Sequence, residues 1–96
     1  MSDRAEVIER DNYTCVTCKA PGYNVHHVVP RGHAKICEMV NSKYNLVVKC
    51  MDCHSKSHNQ NSRYKDLMYL VQKYGISIYQ NAEYDFWREI LRRGIE

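Results

Sequence analysis

Apolar positions recur in two rhythms along the chain, one suited to helices and one to strands. Asp3 through Arg10 predicts a short first helix. Asp3 stands where an N-cap belongs, Glu6 follows three residues later, and Val7 and Ile8 supply an apolar edge. Asp11-Asn12 ends it, and Cys15-Val16-Thr17-Cys18 and Pro21-Gly22 are turns. Val25 to Val29 is a β-branched run stopped by Pro30. Asn45 to Lys49 is a second run, with Leu46, Val47 and Val48 as its apolar part. These two strands flank a basic, polar connection over residues 31–44. Asp52 to His58 predicts another short helix, broken by Asn59-Gln60-Asn61.

Two longer helices are expected beyond it. From about Ser62 to Tyr74, the residues Tyr64, Leu67, Met68 and Val71 fall at i, i+3, i+4 and i+7, and Gly75 closes the segment. From about Glu83 to Arg93, Tyr84, Trp87 and Leu91 share one face. Both are packing elements on this reading, with the aromatic stripe a core face rather than a base-stacking platform. Helix, hairpin, helix and two further helices make an α+β domain. At 96 residues the chain is one domain, 1–96. So short a chain buries a modest core and gains from a staple such as a metal or a disulfide.

The cysteine pattern supplies the staple. Four of the five cysteines form Cys15-x-x-Cys18 and Cys50-x-x-Cys53, which are 31 residues apart; Cys37 is left over as a small buried or partly buried thiol. Four thiolates in two such turns satisfy tetrahedral Zn²⁺ with no open position, so the expected site is closed and structural. A redox Cys-x-x-Cys would not need two copies. No run approaches the roughly 18 apolar residues of a membrane span, and the polar N-terminus is neither a signal nor a transit peptide. The expected compartment is therefore cytoplasmic, where cysteines serve metals more than disulfides.

Net charge is only +3, but it is unevenly placed. Residues 31–73 carry eight basic against three acidic side chains, whereas residues 1–11 carry two against four. The basic segment suits a phosphate backbone, with Arg31, Lys35, Lys43 and Lys49 as candidate contacts. It also holds most of the chemistry. His26 and His27 are neighbours on the first strand and must face opposite ways, so they take different jobs. His54 follows Cys53, and His58 lies one helical turn further on. His33 is expected at the surface. This constellation suggests a second, catalytic metal site. Neutral imidazole, with a pKa of about 6.5, can take a proton from water, and a divalent ion can polarise a phosphoryl oxygen.

These residues resemble the HNH endonuclease family, which has the ββα-metal or His-Me finger fold. The matching pieces are Arg10-Asp11-Asn12-Tyr13-Thr14-Cys15-x-x-Cys18, Val25-His26-His27-Val28-Val29-Pro30, and Asn45-Leu46-Val47-Val48-Lys49-Cys50-x-x-Cys53-His54. His27, Asn45 and His54 occupy the places that give the family its name. The resemblance covers about residues 4–58 and leaves a C-terminal helical extension, about 62–94, without a counterpart. It implies that His27 is the general base and that His26 and His54 are ligands of the catalytic ion. His58 is a third candidate ligand at a position many members leave to water. Asn45 ligates metal in some relatives and braces the loop in others; with two histidines at hand, bracing is preferred here. The middle loop, Arg31-Gly32-His33-Ala34-Lys35-Ile36-Cys37-Glu38, departs from the Gly-Gly pair common in the family.

The function implied is a metal-dependent DNA endonuclease that hydrolyses phosphodiester bonds to 5′-phosphate and 3′-hydroxyl ends. It would use Mg²⁺, Mn²⁺, Ni²⁺ or Zn²⁺ at the catalytic site beside the structural Zn²⁺. One site per chain nicks one strand, so double-strand cutting needs a dimer or two events. A bacteriophage enzyme of this kind would act beside terminase proteins in the host cytoplasm. The alternative is a non-catalytic zinc-stabilised DNA-binding module, which would keep the cysteines and the basic segment without needing the histidines.

Overall fold

The computed structural model of the chain describes residues 3–56 and 59–95. It is a small α+β fold: α1 (Arg4–Arg10), β1 (Asn24–His27), β2 (Leu46–Lys49), α2 (Met51–Lys56), α3 (Gln60–Tyr74), α4 (Ser77–Gln80) and α5 (Phe86–Ile95). The strands pair antiparallel in the register Asn24 with Lys49, Val25 with Val48, His26 with Val47 and His27 with Leu46.

All of β2 is buried because both faces of the ribbon are covered. Leu46 and Val48 pack with Val7 of α1 on one face. Val47 joins the larger core on the other, where Val28, Val29, Leu67, Leu70, Tyr79, Trp87 and Ile90 meet. The connection between the strands is not the open polar loop that its composition suggests. It folds into three 3₁₀ turns, Arg31–Lys35, Glu38–Asn41 and Lys43–Asn45, and delivers Cys37 and Val40 to the core.

Several boundaries differ from expectation for identifiable reasons. Asp3 makes no side-chain cap on α1; its carboxylate accepts the backbone N–H of Lys43 at 2.7 Å instead and so pins the connection to the helix. Asn59 does not merely break a helix but starts one, its side chain accepting the Ser62 N–H at 2.9 Å. The buried face of α3 runs through Asp66, Leu67 and Leu70 rather than Met68, because it must meet both α5 and the end of β2. The added short α4 places Tyr79 in the core, with its hydroxyl donating to the Tyr44 carbonyl at 2.7 Å.

Arg10 and Asp11 close the polar interior at the end of α1. The Asp11 carboxylate accepts two bonds from Arg10 at 2.7 Å, one from the Tyr69 hydroxyl at 2.6 Å and one from the Val48 N–H at 3.0 Å. Arg10 also donates to the carbonyls of Lys43 and Leu46 and to the Tyr74 hydroxyl. Burial works against the Arg10 charge, but the bonds it donates to Asp11 and Tyr74 outweigh it and raise its pKa. The pair thereby ties α1, β2 and α3 together.

Candidate metal centre and histidine groove

The two Cys-x-x-Cys turns meet. The four Sγ atoms of Cys15, Cys18, Cys50 and Cys53 all lie within 4.8 Å of one another, and Cys18 and Cys50 approach to 3.6 Å. Thiolates on a tetrahedral ion with bonds of about 2.3 Å stand about 3.8 Å apart, so the cluster could hold a metal ion such as zinc with little adjustment. Local backbone builds it. The first turn is closed by Cys15 N–H to the Ala20 carbonyl at 2.8 Å, with Lys19 in the left-handed region at φ +67°. It is fastened to β2 by Val16 N–H donating to the Val48 carbonyl at 3.0 Å. Gly22 is needed where the two turns touch, since a Cβ there would sit 2.9 Å from both Cys50 N and the Lys49 carbonyl oxygen.

The four thiols are electrostatically unequal. Burial would push Cys15 up, but backbone N–H groups of Cys18, Cys50 and Thr17 bring it down to about 6. Cys53 is pushed up to about 12 by hydrogen bonding to Cys50 and Cys18 together with burial. Neighbouring thiols of this kind could give up their protons to a bound cation.

The second knuckle leads directly into α2, whose last turn carries His54; the His54 backbone N–H donates to the Cys50 carbonyl at 2.9 Å. This sets His54 against the end of the ribbon. The rings of His26 and His54 lie 5.2 Å apart, nearly perpendicular at 88°. His26 is buried at 4 % exposure on the Val47 face, and His27 lies on the opposite face with Leu46. His26, His27, Arg31 and His54 line one recess together with Pro30 and Arg63. His27, Arg31 and His54 also line a larger cleft of about 730 Å³ with Arg4, Asn41 and Leu46. Four of the candidate residues thus converge on one groove.

The other candidates do not join it. Asn45 is wholly buried behind the groove. Its Nδ2 donates to the carbonyls of Val40 and Val29 at 2.7 and 3.1 Å, and its Oδ1 accepts Val29 N–H and Trp87 Nε1, both at 2.9 Å. Lys43 faces Glu6 at 3.5 Å and the Tyr44 and Tyr74 rings. Lys35 is exposed on its 3₁₀ turn. Lys49 as a phosphate contact is corrected. It is 1 % exposed, its ammonium lies 2.8 Å from Asp66 and donates to Thr17, and the face it shares with Val47 points inward. His58 lies outside the described residues. Among those described, the four cysteines are the only group of three or more His, Cys, Asp or Glu at metal-ligating spacing.

Two groove residues escaped sequence reasoning. Asn41 Oδ1 lies 3.0 Å from His27 Nε2. An amide oxygen only accepts, so this contact is a hydrogen bond when Nε2 carries a hydrogen. Arg4 reaches the groove from α1 and also donates to the Tyr23 carbonyl at 3.2 Å. Nothing local in the sequence separates Asn41 from other loop asparagines, and Arg4 is an ordinary polar-face residue of an amphipathic helix.

No family model and no solved structure matches the chain. Among curated proteins it is similar to the mitochondrial DNA mismatch repair protein mutS homolog of Sarcophyton glaucum, at 40 % identity over 47 residues. That stretch is 47 % of this chain, and it spans only 5 % of the relative's length. Among the described residues no helix is long and apolar enough to cross a membrane.

Proposed function

We propose that the protein is a metal-dependent DNA endonuclease of the HNH kind, with β1, β2 and α2 as a ββα-metal core. The observation that carries the reading is the single groove shared by His27, His54, His26 and Arg31, with Asn41 Oδ1 3.0 Å from His27 Nε2. The bland explanation of each histidine, a satisfied polar residue, gives no reason for all three to meet beside an arginine. DNA as the partner is supported by the basic segment and, more weakly, by the name of the mismatch repair relative.

The residues take distinct roles. His27 Nδ1 accepts a proton from the attacking water, while Asn41 holds the ring through Nε2. Arg31 and Arg4, which both line the cleft, neutralise the phosphate. His26 and His54 offer neutral nitrogen donors of the kind that zinc, nickel and related ions accept, with His58 as the further candidate. A divalent ion bound there would polarise the phosphoryl oxygen and stabilise charge on the leaving oxygen. Asn45 acts at one remove by holding Val29, Val40 and Trp87 in register. The four cysteines hold a structural zinc that clamps α2 to the ribbon and does no chemistry.

A cleavage assay on DNA tests these roles. His27→Ala should lower the cutting rate by about 10²–10⁴-fold with zinc content and fold retained. Asn41→Ala, which removes only the ring's anchor, should cost about tenfold or more. If His27→Ala cuts at the original rate, His27 is not the base. The rival reading, a zinc-stabilised DNA-binding module, draws on the lack of a second multi-ligand cluster among the described residues. It expects DNA binding that survives every histidine substitution and no cutting at all.

A further inference from the structure

A second recess opens beside the histidine groove, and the cutting reading makes no use of it. It encloses about 460 Å³ between the first 3₁₀ turn and helices α3 and α5, and His33, Tyr84, Phe86, Gln60, Arg63 and Arg93 line it. Its aromatic wall is a ladder. The His33 and Phe86 rings lie 4.4 Å apart and tilted by 35°, and the Tyr84 and Phe86 rings lie 5.6 Å apart and nearly parallel at 12°. Core packing explains Trp87 and Ile90 of the same helix, which are buried. Tyr84 and Phe86 pack one side against the same core but are only half-buried, and His33, which lies on Phe86, is exposed, so part of the ladder faces solvent.

Two further observations say what kind of occupant fits. Pro30 and Arg63 line both this recess and the one shared by His26, His27, Arg31 and His54, so the two are neighbours. The carboxylates at the rim are already engaged, Asp85 by Arg88 and Glu89 by Arg92 and Arg93. A π surface edged by Arg63 therefore adjoins the groove.

We infer that this recess takes a nucleobase unstacked from the strand being cut, beside the scissile phosphate. The preferred substrate is then DNA with an unpaired nucleotide at the cut, as in a bulge, flap or single strand, rather than continuous duplex. A paired base already has neighbours on both faces and must pay to leave them, whereas an unpaired base loses little and gains the ladder. Arg63, common to both recesses, meets the phosphate that links base to groove. The inference rests on the endonuclease reading for the position of that phosphate, but base capture itself needs no cutting.

The test uses zinc-loaded His27→Ala protein in Mg²⁺ and two oligonucleotide duplexes of one sequence. One duplex carries 2-aminopurine as a single-nucleotide bulge, and the other carries it fully paired. Binding should change the fluorescence of the bulged probe and leave that of the paired probe unaltered. Adding His33→Ala or Phe86→Leu should weaken bulge binding about tenfold while changing duplex binding less than about twofold. His33 is exposed, so its removal leaves the core intact, and thermal melts check Phe86→Leu. Absence of binding or of a fluorescence change, or equal weakening of both probes, would overturn base capture. Wild-type protein should cut the bulged duplex about tenfold faster than the paired one. If it captures the base yet cuts neither duplex, the endonuclease reading falls and base capture stands.

Discussion

Lys49 ends a strand of valines with its ammonium 2.8 Å from Asp66 and both side chains almost wholly out of water. Burial pushes the Asp66 carboxyl up, against the pull of Lys49. Breaking such a pair leaves a lone buried charge, so Asp66→Asn should cost about 3–5 kcal/mol in urea unfolding. Lys49→Met with Asp66→Leu should recover most of that loss. Tyr69 gives a pH signature. Burial and its bond to Asp11 push its hydroxyl up to about 12, from an ordinary value of 10. A group raised on folding contributes stability that is complete below the unfolded value and lost as pH climbs through the folded one. Stability should therefore fall between about pH 10 and 12, with a shallower fall in Tyr69→Phe. At this scale the sequence exposed the histidines better than their supports. Two adjacent on a strand and one beside a Cys-x-x-Cys are visible in the linear chain. The Asn41 contact depends on where three 3₁₀ turns happen to bring residue 41, and the inward Lys49 depends on the second face of the ribbon being covered.

Among the elements, the first knuckle and the second must fit back to back, and Gly22 marks the contact. Gly22→Ala should lose about 1–3 kcal/mol and weaken metal retention, since the new methyl would press on Cys50 and Lys49 backbone atoms. Gly32→Ala, with open space around it, should be near neutral and serves as the control. The hairpin, α2 and the two long C-terminal helices follow from runs of β-branched residues and 3.6-residue spacing. The start of α3 moved two residues towards the N-terminus because Asn59 caps it. The connection over residues 31–44 looked like a polar loop because its apolar stretch, Ile36-Cys37-Glu38-Met39-Val40, is too short and mixed to predict a helix or strand. The burial of Cys37 and Val40 is set by α3, α4 and α5, and no local pattern encodes it.

Taken whole, the molecule separates holding from acting. The cysteine cluster and the Arg10–Asp11 hub fix α1, the ribbon and α2, and the C-terminal helices brace the loop through Trp87 to Asn45 and Tyr79 to Tyr44. Of the groove residues, His27 and Arg31 are not buried and contribute little to that frame. Removing a metal held by the cysteine cluster should therefore unfold the protein, and Cys50→Ser should do the same or cost it zinc, whereas His27→Ala should leave the melt unchanged. The measurement that bears most directly on the nuclease reading is supercoiled plasmid incubated with folded, zinc-loaded protein and each of Mg²⁺, Mn²⁺, Ni²⁺ and Zn²⁺ in turn. Nicked circles should accumulate with at least one of these ions; no nicking with any of them would contradict the reading.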